Sequence, residues 1–130
     1  MYRWIDHTGE LELQIEANAE EEVFRDAVEA LGELLHERAQ EATDERRVAA
    51  RAPDRAALLA EFLTELLFHV ETEGFVPVKL DELELREDAA RGTVLGFLGE
   101  PSHLIKAITY HRLRFEQADG RWCANLVLDV

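Results

Sequence analysis

A chain of 130 residues, 47% hydrophobic and 32% charged, carries enough apolar material to bury one core, which argues against disorder and against a disulfide-stapled miniprotein. Its 28 acidic residues outnumber 14 basic ones for a net charge of −14, so a phosphate-neutralising nucleic-acid surface is not expected, and any link to RNA should run through a protein partner. No apolar run nears the ~20 residues that span a bilayer, MYRWIDH lacks the regions of a signal peptide, and the lone Cys123 has no disulfide partner; a cytoplasmic protein is predicted.

After the polar stretch Asp6-His7-Thr8-Gly9-Glu10, residues Leu11, Leu13 and Ile15 alternate with Glu10, Glu12, Gln14 and Glu16. That is the period of a strand with one wet face. Asn18 with Glu21 resembles a capping box and opens a helix with the apolar stripe Val23, Phe24, Ala27, Val28, Leu31, Leu34 and Leu35. Thr43 and Asp44 interrupt the pattern, and Arg46 to Ala52 is a predicted short strand. Pro53 suits the first turn of a second helix, whose stripe runs Leu58, Leu59, Phe62, Leu63, Leu66, Leu67, Val70 and stops at Gly74. Four strands follow, at about Val76–Arg86, Gly92–Leu98, Lys106–Ala118 and Arg121–Val130. Asp119-Gly120 joins the last two as a two-residue hairpin. The order predicts one α+β domain over 1–130, two helices packed on largely antiparallel β-sheet.

The hairpin sets a register. With Ala118 facing Arg121, counting outward places Tyr110 opposite Asp129 and Thr109 opposite Val130. Leu113, Phe115, Trp122, Ala124, Leu126 and Leu128 then share the core face, and Lys106, Tyr110, Arg112 and Asp129 share the other. A terminal carboxylate on Val130 would add a second negative group beside Asp129.

Asp6-His7-Thr8-Gly9-Glu10 reads first as a turn whose polar groups satisfy backbone. A functional reading gains weight only if the segment meets the Asp129-Val130 end in space. Glu10, Asp129 and the terminal carboxylate would then form an all-oxygen anionic cluster, suited to Ca2+ or Mg2+ better than to zinc. His7, His36, His69, His103 and His111 show no HxH or HExxH spacing, and Ser102-His103 lacks the glycines of a nucleophile elbow. Lys106 is one of two lysines against twelve arginines, a weak sign that a compact ammonium is wanted there. Glu71 and Glu73, near the negative end of the second helix dipole, read as a solvated helix end.

Together these stretches resemble the archease family. The matches are Trp4-Ile5-Asp6-His7-Thr8 for its DHTAD-like opening and Leu66-Leu67-Phe68 with Glu71-Thr72-Glu73-Gly74-Phe75 for its ELL…TEG segment. Gly99-Glu100, Lys106-Ala107-Ile108-Thr109-Tyr110-His111 for KAxTYH, and Val127-Leu128-Asp129-Val130 complete the set in chain order. The resemblance implies a non-catalytic protein cofactor of an RtcB-type RNA ligase in tRNA splicing and RNA repair, promoting ligase guanylylation and turnover. It further implies a divalent cation of the Ca2+ or Mg2+ type held at Glu10, Asp129 and Val130, with Asp6 as a neighbour. Lys106, Thr109, Tyr110 and His7 are the residues it implies at the partner contact. This chain departs from the family pattern in having Glu at position 10 where Asp is usual, Gly9 in place of Ala, and a short segment between Glu100 and Lys106. Two other classes stay open on the residues: a metal-dependent phosphoryl or nucleotide enzyme using Asp6, Glu10 and Asp129, and a general chaperone-like binding module.

Overall fold

Strands β1 (Tyr2–His7) and β2 (Glu10–Ala17) form an antiparallel hairpin in which His7 faces Glu10, so only Thr8 and Gly9 make the turn. Gly9 has φ +74°, a left-handed conformation that a side chain would disfavour. The polar opening stretch is therefore the closing end of a hairpin, and the N-terminal segment is a strand that period-2 counting from Glu10 onward leaves out. The structure, a computed structural model, describes residues 1–36, 38 and 40–130.

Helix α1 (Glu20–Leu35) buries Val23, Phe24, Ala27, Val28, Leu31 and Leu35, as its stripe predicts. Its N-cap is Ala19, without a side-chain cap; the expected Asn18/Glu21 capping box is replaced by the Asn18 N–H donating to the Glu22 carboxylate at 3.2 Å. After β3 (Asp44–Arg51), helix α2 (Arg55–Glu73) begins two residues after Pro53, which lies just ahead of the N-cap rather than in the first turn. Asp54 caps it by accepting from the Ala57 N–H at 2.8 Å, and Gly74 ends it at φ +67°.

Strands β4 (Phe75–Leu85), β5 (Ala89–Leu98), β6 (Ala107–Ala118) and β7 (Arg121–Asp129) complete the chain. All pairings are antiparallel, but they divide into two sheets, β1-β2-β7-β6 and β3-β5-β4. Both helices touch strands of both sheets. Phe24 of α1 meets Phe62 of α2 edge-on at 5.7 Å between centroids, and Phe115 of β6 lies 6.1 Å from Phe24. One core thus serves both sheets, an α+β domain with the apolar faces of β2 and β7 turned to the helices.

Candidate functional site on the outer face of the four-stranded sheet

Cross-strand partners in a sheet project to the same side. One row across the larger sheet is His7, Glu10, Asp129 and Ala107; the next is Ile5, Glu12, Val127 and Thr109. Leu11, Leu13, Ile15, Leu126 and Leu128 alternate with these and face the core, so both rows lie on the outer face. The DHTGE stretch and the Asp129-Val130 end therefore meet. Glu10 faces Asp129 directly, and the Val130 N–H donates to the Gly9 carbonyl at 3.4 Å.

Glu12 anchors this face. It is only 9% exposed, although the alternation alone assigns it to a wet surface. The His7 Nε2–H donates to Glu12 Oε1 at 2.8 Å, and Arg112 Nη2 lies 3.7 Å from the same oxygen. The His7 bond holds the Glu12 carboxyl below the usual carboxylate range, with burial opposing and Asn125 and Arg112 assisting. Arg112 Nη2 also donates to Glu10 Oε2 at 3.3 Å, so one guanidinium spans two carboxylates of β2.

Arg112 reaches that position through an irregularity. Between Thr109–Val127 and Arg114–Asn125, β6 advances five residues while β7 advances two, leaving three extra residues in β6. Arg112 sits in this bulge at φ +55°. The Asn125 Nδ2–H donates to its carbonyl at 3.0 Å, and Asn125 is 4% exposed. Asn125 Oδ1 has no hydrogen-bond partner among the described residues.

The bulge corrects the register counted from the hairpin. Ala118–Arg121 through Arg114–Asn125 pair as counted, but beyond them Ala107, not Tyr110, faces Asp129, and Thr109 faces Val127, not Val130. An odd slip exchanges the faces. Ile108 turns to the core, and Tyr110 leaves the Asp129 row to donate its hydroxyl to Glu61 of α2 at 2.5 Å. That bond and burial push the Tyr110 phenol up to about 12.

The remaining expected residues divide. His7, Glu10, Asp129 and Thr109 share the outer face, and Val130 adjoins it. Asp6 faces Leu11 and so lies on the opposite side of the sheet from Glu10. Lys106 is exposed just ahead of β6 and donates its N–H to the Asp129 carbonyl at 2.8 Å. Among the described residues no three His, Cys, Asp or Glu side chains converge as metal ligands. Sequence patterning places Glu12 and Arg112 on outward-facing positions without giving either a role, and it passes over Asn125. A mid-strand Asn in WCANLVLD was the one available signal, because Asn is depleted from strands.

Comparison with known proteins fits this architecture. The model of the archease protein family matches residues 2–130. The chain belongs to the archease family. Among archeases named as such, it is 34% identical to that of Thermococcus gammatolerans and 32% to that of Pyrococcus abyssi, each alignment covering 100% of both chains. The archease of Methanopyrus kandleri is 30% identical over 97% of this chain and 96% of its own. The solution structure of Methanobacterium thermoautotrophicum protein 1598 superimposes with a TM-score of 0.82 at 29% identity, covering 99% of this chain and 98% of that one. A crystal structure from Thermotoga maritima, described as an archease and possible chaperone, has a TM-score of 0.72 at 20% identity over 100% and 98% of the two chains. At that identity the likeness is one of fold. The α+β architecture is the archease architecture.

Proposed function

We propose that this archease activates an RtcB-type RNA ligase by protein contact, promoting guanylylation of the ligase and its turnover in tRNA splicing and RNA repair. It is a non-catalytic cofactor of that enzyme. The observation that supports this most is the meeting of Glu10 with Asp129, from opposite ends of the chain, on a face that also carries His7 and Glu12. Such an anionic tip complements a ligase cleft that handles phosphates and divalent metal. Lys106, just ahead of β6, and Thr109, within it, flank the tip.

A divalent cation belongs to the same proposal. Glu10 and Asp129 offer carboxylate oxygens from neighbouring strands, the ligand chemistry that Ca2+ and Mg2+ take. Val130 would supply further oxygen, and the charge of such an ion would help to position partner phosphate. Asp6, on the other side of the sheet, is left out of the ligand set.

A second reading rests on the exposed apolar side chains Phe68 and Leu104, which suit a general chaperone-like module. Purified protein separates these readings. Stimulation of guanylylate transfer to an RtcB-type ligase, without phosphate release from nucleotides by the archease alone, is the expected result. Suppression of aggregation of unrelated proteins, with no effect on the ligase, would instead establish the chaperone reading. Phosphate release without a ligase would establish an enzyme.

A further inference from the structure

We propose that Arg112 is a resident, displaceable cation of the acidic face, and that it sets the affinity with which Glu10 and Asp129 take a divalent ion. The inference rests on the cation reading above but is decided by binding alone, without a ligase.

Three observations carry it. The guanidinium already holds one of the two Glu10 carboxylate oxygens, bonding Oε2 at 3.3 Å while lying 3.7 Å from Glu12 Oε1. A non-glycine residue at φ +55°, a left-handed conformation that a side chain disfavours, is held in a three-residue bulge by the buried Asn125. The side chain itself remains 43% exposed and is tied, among the described residues, only to Glu10 and Glu12. The anchor is fixed while the charged end can leave for water without opening the core.

A divalent ion and Arg112 therefore compete for Glu10. Entry of the ion costs the Arg112–Glu10 pair, and a guanidinium that stayed nearby would repel the ion. At separations of several ångströms in a water-like dielectric this repulsion alone weakens binding by about tenfold. Glu12 then has a distinct part: bonded to His7 as well as near Arg112, it offers the guanidinium a second carboxylate when Glu10 is taken.

Calcium titrated calorimetrically into the full chain tests this, with Arg112→Gln, Arg112→Gly and Arg112→Lys beside the wild type. Arg112→Gly removes the charge and also suits the positive φ, so it remains informative if the Gln variant folds poorly. Both neutral variants should bind Ca2+ about tenfold more tightly or better, and Arg112→Lys should stay near wild type. Adding Glu10→Gln or Asp129→Asn to Arg112→Gly should abolish the gain. Arg121→Gln, which removes an equal charge from the Arg121–Glu16 pair at the far end of β2, should change little. Equal Ca2+ affinity in wild type and Arg112→Gly, abolished by Asp129→Asn in both, would overturn the role of Arg112 and leave the cation site standing. No binding by either protein would overturn both, leaving ligase stimulation to judge the activator reading. An equal gain in Arg121→Gln would reduce the effect to net charge and overturn the proposal.

Discussion

Glu12 shows how a side chain assigned to a wet face becomes structural. Its strand lies between β1 and β7, so neighbours on both sides cover it, and His7 and Arg112 turn a buried charge into a paired one. Removing Glu12 takes the carboxylate partner from His7 and one of two from Arg112, and truncates a side chain that is almost fully buried. Glu12→Ala should therefore destabilise the fold by about 1–3 kcal/mol in urea denaturation. Asp129→Asn should lie within about 0.5 kcal/mol of wild type, since its carboxylate makes no ion pair among the described residues. Equal losses for the two would contradict the division between an anchoring and a free carboxylate.

Neighbouring elements are held together by close packing between α1 and β4 and by charge between α2 and β3. Gly32 lies inside α1 where the helix passes over β4, and a Cβ there would run into the Pro77 carbonyl. Gly32→Ala raises helix propensity yet should lower stability by about 1–3 kcal/mol, because backbone cannot give way as a flexible side chain can. A stabilised Gly32→Ala protein would place α1 farther from β4. Glu73 ends α2 at the negative pole of the helix dipole, an unfavourable place offset by His69 four residues back and by Arg46 Nε of β3 at 3.1 Å. The His69 bond, with Arg46, lowers the Glu73 pKa below its ordinary value. A carboxyl with a depressed folded pKa stabilises the fold above its unfolded pKa and loses that contribution as pH falls through the folded one. Glu73→Gln should thus melt below wild type at neutral pH, with the gap closing in acid beneath the usual carboxylate range. A gap that widens in acid would contradict the assignment.

The elements show what could be read from residue order. Both helices follow from apolar stripes, and Gly74 and Asp119-Gly120 punctuate the chain where expected, because each of these signals is local. The bulge at Tyr110–Leu113 is not local. It depends on Asn125 from the neighbouring strand holding the Arg112 carbonyl, and no counting from the hairpin contains that contact. Counting alone therefore puts Asp129 on the outer face but gives it Tyr110 as its neighbour in place of Ala107. The division into two sheets was equally hidden, since the pairing of β3 with β5 joins residues more than 35 positions apart around an intervening helix.

For the whole molecule, the net charge of −14 and the position of the acidic face set how it meets other molecules. Acidic residues dominate the composition, so the isolated chain should bind tRNA negligibly at physiological salt, measured by filter retention. A salt-sensitive micromolar complex would contradict an indirect role in RNA metabolism. The proposed function has the Glu10–Asp129 end of the four-stranded sheet activate a ligase by contact. Its most direct test is the single-turnover rate of guanylylation of an RtcB-type ligase, measured with wild-type archease and with Asp129→Asn at matched folding. Wild type should accelerate the step clearly, and the variant should lose most of that acceleration. Equal acceleration by both proteins, or none by the wild type, would contradict it.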